Sequence, residues 1–285
     1  MSKKVIICAD STCDLSPELK EKYQISTYPL HVLLEEKSYS DGVDLTPDEI
    51  YATYRERKVL PKTAAVNAAE YEEFCKPWLD DGCEIVYISL GSGLSTSHNN
   101  CRLAAEELEG LYVVDSKNLS TGSGLLVLAA AERAQAGMSA AQIAEELRAL
   151  VPTVESSFVI DNLEFLHKGG RCSTLAMMGA NVLQLKPCIE VRVAENGSMG
   201  VGKKYRGSLD KCLQQYVKDR LEGRTDIDTH RIFITHSGIS DERVDLVRNE
   251  VQKYAQFDEI LVTRAGCTIS AHCGPNTLGI LFMTK

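Results

Sequence analysis

The 285-residue chain has no apolar run of the length a lipid bilayer requires, which excludes a spanning helix. Its first residues, MSKKVIICADSTCDL, offer too short an apolar stretch before Asp10 for a secretory leader, so a cytoplasmic protein without stable membrane insertion is expected. A surplus of positive charge is also missing. With 31 Lys and Arg against 40 Asp and Glu, the net charge of -9 argues against nonspecific binding to nucleic acid or anionic membranes. The ten cysteines contain no C-x-x-C pair and no zinc-type spacing, so they are expected as small buried hydrophobes in a reducing compartment, with no metal site.

Several catalytic signatures are absent too. Without G-x-S-x-G there is no nucleophile elbow, and the hydroxyls are too many to single one out as a catalytic serine. Without G-x-x-x-x-G-K-[ST] or G-x-G-x-x-G the usual phosphate cradles are missing, and no paired magnesium ligands can be assigned. Unaided phosphoryl transfer is therefore not expected.

What is present is a folded α/β pattern. A hydrophobic content of 44% supports substantial cores, and a change of pattern near residue 155 predicts an N-terminal α/β domain over 1–155 and a C-terminal α/β domain over 156–285. The first part reads as strand Val5 to Ala9, a helix from Pro17, an extended run Ile25 to Leu34, a helix from Pro47, a strand over 84–90, a helix to 109, a strand Leu111 to Val114, then helices Gly124 to Ala136 and Ala140 to Leu150. Ser16-Pro17, Thr46-Pro47-Asp48-Glu49 and Ser139-Ala140-Ala141-Gln142 mark helix starts. The second part carries strands Phe158 to Ile160, Cys188 to Val193, Arg231 to Thr235, Glu259 to Thr263 and Leu278 to Met283. Helices are predicted near 172–184, 208–221 and 240–255, and Asn196-Gly197 reads as a hairpin turn.

Polar junctions follow several of these strands, where open α/β sheets line a ligand crevice. In ISLGSGLSTSHNNCRLAAEEL, residues 88–108, a strand passes through Gly91, Gly93, Ser95, Thr96 and Ser97 into a helix. Either Ser95 caps the helix and the glycines only let the chain turn, or the free N–H groups and hydroxyls hold a phosphate or carboxylate. Asp10 and Asp115, each before a serine, read as cap or turn residues, with metal ligation as the alternative. His272 stands in a loop constrained by Gly274 and Pro275. Arg171 follows Gly169-Gly170, where it is either a surface cation or a contact for an anion or partner.

Six blocks, DSTCDL, ISLGSGLSTSHNNCRLAA, VVDSKNLSTGSG, IDNLEFLHKGGRCS, LKPCIEV with KKYRG, and ISAHCGPNTLGILF, occur in this order across nearly the whole chain. Together they resemble the DegV family. The resemblance implies a two-domain α/β fold, an N-terminal mainly parallel sheet and a C-terminal domain with a mixed sheet, with a fatty acid tunnel between the domains. It implies no cofactor beyond a bound long-chain fatty acid. It also implies the role of lipid-binding subunit of a bacterial fatty acid kinase: a separate ATP-dependent subunit phosphorylates the bound carboxyl group, and the binding subunit holds the acyl phosphate for phospholipid synthesis.

By the same resemblance, Thr63, Ser95 and His272 match the carboxylate ligands, with Gly93, Thr96 and Gly274 in the surrounding ligand loops. Arg171 and Arg206 match positions assigned to partner docking or support of phosphoryl transfer. The chain departs from the usual T-S-Q-P-S in Thr63-Ala64-Ala65-Val66-Asn67, and from L-S-G-T-Y in Leu94-Ser95-Thr96-Ser97-His98. His98, in place of the aromatic, is expected as a solvent-facing helix residue, with an extra polar contact as the alternative. Two further readings remain: a stand-alone enzyme on a small acyl or acidic substrate with Ser95 and His272 catalytic, and a regulatory module that senses a lipid.

Overall fold

A computed structural model describes residues 3–172 and 185–285. Four strands, β1 (Val5–Asp10), β2 (Ile25–Tyr28), β6 (Glu84–Ser89) and β7 (Leu111–Asp115), form a parallel sheet in the order β2-β1-β6-β7. The near-continuous apolar composition of the central strands β1 and β6 follows from burial on both faces. Ile7, Ala9, Val86 and Ile88 point into one core with helices α5 (Ser120–Gln135) and α6 (Ala140–Leu150). The alternate residues Cys8, Ile85 and Tyr87 point into another with α3 (Ala68–Asp80) and α4 (Ser97–Glu107).

A second sheet is mixed, ordered β10-β9-β8-β13-β11-β12. Its strands are β8 (Val154–Val159), β9 (Leu185–Arg192), β10 (Ser198–Arg206), β11 (Ile227–His236), β12 (Glu259–Arg264) and β13 (Leu278–Thr284). One face is covered by α8 (Leu209–Leu221) and α9 (Asp241–Tyr254). Toward the other lies α5, buried from Ser120 through Ala131, whose core also takes in Phe233 and Leu281. An apolar helix buried all round is what contact with both sheets demands.

The α/β expectation therefore holds, with local differences that have physical causes. The extended run 25–34 is two strands: at Pro29, which has no N–H to donate, the chain leaves the parallel sheet, and β3 (His31–Leu34) joins β4 (Lys37–Ser40) and β5 (Lys62–Ala64) in a small antiparallel sheet. Helix α5 begins four residues before Gly124. Gly122 and Gly124 lie inside it because a Cβ at either would stand 2.2 Å from the Ser156 hydroxyl or 2.8 Å from the Cys13 carbonyl. Asn196 and Gly197 both adopt positive φ, as expected for the turn, within a five-residue link from β9 to β10.

Helices α1 (Pro17–Tyr23), α2 (Pro47–Arg57) and α6 start at their marked caps, and α2 and α6 carry complete capping boxes. α3 was not anticipated, although Asn67 and Glu70 form the same reciprocal box. The short helices α7 (Leu163–Gly169) and α10 (Cys267–Cys273) were missed because seven residues give little periodicity. The helix predicted near 172–184 falls almost wholly outside the described residues. No disulfide links the ten cysteines, all but Cys83 are buried, and burial pushes thiols such as Cys13 and Cys75 up to about 12, which keeps them protonated.

Candidate functional site

Between β6 and α4 the chain runs through Leu90 to Thr96. Gly91 and Gly93 have ordinary φ, so their role is close approach: a Cβ on Gly91 would lie 2.8 Å from the Asn118 nitrogen, and one on Gly93 2.4 Å from the Asn196 carbonyl. The Gly91 and Gly93 N–H groups donate to those two residues' carbonyls at 2.9 and 3.0 Å, which pins the turn against its neighbours. Thr96, with no side-chain cap bond, is the formal N-cap of α4. Ser95 performs the capping one residue earlier: its Oγ accepts from the Ser97 N–H at 3.1 Å and lies 2.9 Å from the Ser97 Oγ.

Thr63 sits in the middle of β5, paired with Val32 of β3. His272 is in the last turn of α10, not in a loop, and its Nε2 lies 2.9 Å from the Thr63 Oγ1. Gly169 leaves room for the ring, since a Cβ there would come within 2.3 Å of its Nδ1, which has no hydrogen-bond partner among the described residues. Burial first, and the Arg171 charge second, push the imidazole down to about 4, so it is neutral at pH 7. In the tautomer with its proton on Nε2, His272 donates to Thr63, and the Thr63 hydroxyl hydrogen is free for an acceptor.

These side chains meet at one cavity of about 420 Å³, well inside the range of small-molecule sites, roughly 300–1,000 Å³. Thr63, Gly93, Ser95, Thr96, Arg171 and His272 all line it, and Leu30, Leu90, Leu94, Leu119, Met199 and Ile269 supply apolar walls. A smaller apolar void beyond shares Leu119, Ile269 and Cys273 with it. The arrangement offers neutral hydroxyls and one neutral imidazole beside hydrocarbon, suited to a ligand with an acceptor head and an apolar body.

Other predicted residues lie elsewhere. Gly274 does not line the cavity; it ends α10 with φ +70 and packs its backbone on Phe165. Arg206, at the end of β10, is exposed and away from the lining, whereas Arg171 is exposed at the cavity with its guanidinium donating to the Gly169 carbonyl at 2.7 Å. His98 is not solvent-facing: it is half-buried, 2.8 Å from the Ser89 hydroxyl, and burial lowers its pKa. Asp115 is the last residue of β7, and its carboxylate accepts from the Ser92 and Lys117 N–H groups just beyond the strand ends. Asp10 makes no side-chain cap bond, and no cluster of three or more potential metal-ligating side chains occurs among the described residues. Asp10 is buried and accepts from Tyr71, Tyr87 and the Leu90 N–H.

Sequence reasoning missed the walls Leu30 and Met199, which no local pattern marks. It also missed Asp14 and Asp41, buried carboxylates that accept from the Gly266, Cys267 and Thr268 N–H groups at the start of the helix bearing His272. Asp14 is visible only as part of the DSTCDL block.

Fold and cavity together define a three-sheet α/β protein whose largely apolar chamber has a patch of neutral hydrogen-bonding groups in its wall. Comparison with known proteins places it further: the family model described as an uncharacterised protein, DegV family, matches residues 4–285, and the chain belongs to that family. A DegV domain-containing protein of Clostridium acetobutylicum is 28% identical over 285 residues, covering 99% of each chain. Among solved structures, a DegV family protein from Thermus thermophilus, described by its fatty acid binding, superposes with a TM-score of 0.88 at 28% identity over 99% of this chain and 100% of that one. A DegV lipid-binding protein from Thermotoga maritima superposes with a TM-score of 0.85 at 26% identity, covering 99% and 98%.

Proposed function

We propose that this protein binds a long-chain fatty acid in the 420 Å³ cavity, its carboxyl group held by Thr63, Ser95 and His272 and its tail along the apolar walls between the chain's two domains, 1–155 and 156–285. The observation that carries this reading is the Thr63–His272 hydrogen bond at the edge of an apolar cavity, with the imidazole held neutral. Each buried methylene contributes about 0.8 kcal/mol, so a tail of about sixteen carbons supplies on the order of 10 kcal/mol before the costs of association. A buried carboxylate needs hydrogen bonds in compensation, and the two hydroxyls provide them. The fatty acids and lipids bound by the Thermus and Thermotoga relatives support the same ligand class.

In this reading the protein is a carrier in the cytoplasm and not itself a catalyst. It presents the carboxyl group to a separate ATP-dependent fatty acid kinase subunit and holds the acyl phosphate product, with Arg171 and Arg206 as docking or phosphoryl-supporting cations. The exposure of Arg171 at the cavity supports this reading. Protein purified without added lipid should yield a fatty acid when its organic extract is examined by mass spectrometry; an extract free of acyl acids from protein that also fails to take up oleate contradicts the proposal. Incubated with oleate, ATP and magnesium, the protein alone should form no acyl phosphate. Turnover without a partner would favour instead the stand-alone enzyme, with Ser95 and His272 as its catalytic residues.

A further inference from the structure

The three head-group residues come from separate elements: Thr63 from the small sheet, Ser95 from the turn after β6, and His272 from the end of α10. None of residues 10–14 lines the cavity, yet this one turn is bonded to all three elements. Asp10 Oδ2 accepts from the Leu90 N–H at 2.7 Å, where the Ser95 turn begins. Asp10 Oδ1 accepts from the Tyr71 and Tyr87 hydroxyls at 2.8 and 2.9 Å, and the Tyr71 hydroxyl neighbours Ser97, the partner of Ser95. Ser11 Oγ accepts from the Leu30 N–H at 3.1 Å, immediately before β3, whose Val32 pairs with Thr63. Ser11 also donates to Asp41 at 3.0 Å, and Asp41 accepts from the Cys267 and Thr268 N–H groups at 2.6 and 3.2 Å. Asp14 completes the set by accepting from the Gly266 N–H at 2.8 Å, so that every link to α10 is made at its N-terminal end.

We propose that the Asp10–Asp14 turn is the positioning hub of the head-group site, fixing Thr63, Ser95 and His272 relative to one another without touching the ligand. Asp10 meets only neutral donors and no cation among the described residues. An unpaired buried carboxylate is a poor device for stability alone, whereas its directed hydrogen bonds set geometry. The proposal rests on the carboxylate-binding reading above and predicts a defect that falls mainly on the head group, because the turn reaches the walls Leu30 and Leu90 only through their backbone N–H groups and, among the described residues, makes no hydrogen bond to the walls Leu94, Met199 and Ile269.

The test compares binding of oleate and oleyl alcohol, which share a tail and differ at the head, in wild type, Asp10→Asn, Ser11→Ala and Ser11→Thr, with thermal denaturation to confirm folding. Oleate affinity should fall tenfold or more in Asp10→Asn and about fivefold in Ser11→Ala, with oleyl alcohol within twofold of wild type and Ser11→Thr close to wild type. The carbon-13 carboxyl resonance of bound labelled oleate should shift toward its solution position in the two impaired variants. Equal losses for both ligands, or no loss for either, overturn the hub. If Asp10→Asn does not fold, the Ser11 pair decides the matter alone. A wild type that does not prefer oleate to oleyl alcohol overturns the carboxylate reading itself, independently of any variant.

Discussion

Replacing Thr63 and Ser95 together by alanine should weaken oleate binding by about a hundredfold or more while leaving the fold intact. Hydrogen bonds to a charged group contribute about 1.5–3 kcal/mol each, and every 1.4 kcal/mol is about tenfold in affinity. Both side chains line the cavity, so truncation removes donors without opening a packed core. Thr63→Ala has a second consequence, since it strips His272 of its only hydrogen-bond partner among the described residues. Ser95→Ala also removes the acceptor of the Ser97 N–H, so a small loss of helix stability, about 1 kcal/mol, accompanies it. Titration calorimetry with oleate checks the first effect and thermal melting the second. Equal retention of oleate by wild type and the double variant would remove these residues from the site.

The second large effect concerns pH. Asp14 is buried, accepts from Ser120 and Gly266, and faces Asp41 across the start of α10; burial pushes its carboxyl up to about 8. In the unfolded chain an aspartate titrates near 3.9. Between those values the folded protein binds more protons than the unfolded one, so this group makes stability fall as pH rises from about 4 to 8. His272 acts in the opposite sense: its folded pKa of about 4 lies below the ordinary 6.5, so its contribution is full above 6.5 and is lost as pH falls toward 4.

The two oppose each other below pH 6.5, and only Asp14 acts above it. From pH 6.5 to 8 it should therefore cost about 2 kcal/mol of stability at 1.36 kcal/mol per unit. Asp14→Asn keeps an acceptor for the Gly266 N–H and an amide that can donate to Ser120, and it cannot ionise. Denaturant melts at pH 6.5 and 8 should show a decline in wild type that is about 2 kcal/mol larger than in Asp14→Asn. Parallel declines in the two proteins would show that Asp14 does not titrate in this range.

The alternating α/β order was legible because strands buried on both faces read as near-continuous apolar runs, as Ile85–Ile88 does in β6, and because caps such as Thr46 and Ser139 bond their own helices locally. β5 was not: Lys62-Thr63-Ala64 has no periodicity and is a strand only because β3 lies beside it. The same distinction divides the site. Thr63, Ser95 and His272 were named together through the family resemblance, and the fold does bring them to one cavity. Leu30 and Met199 look like any other apolar residue until segments 169 positions apart in the chain converge on the same space. His98 shows the converse, a polar residue expected in solvent where the family pattern has an aromatic, that instead bonds Ser89 behind the turn.

The most direct test is a crystal structure of the protein soaked or grown with oleate. The carboxyl oxygens should lie within hydrogen-bonding distance of the Thr63 and Ser95 hydroxyls, with the chain running past Leu119 and Ile269. Oleate found with its carboxyl group elsewhere, or a cavity that stays unoccupied at saturating ligand, would contradict the account.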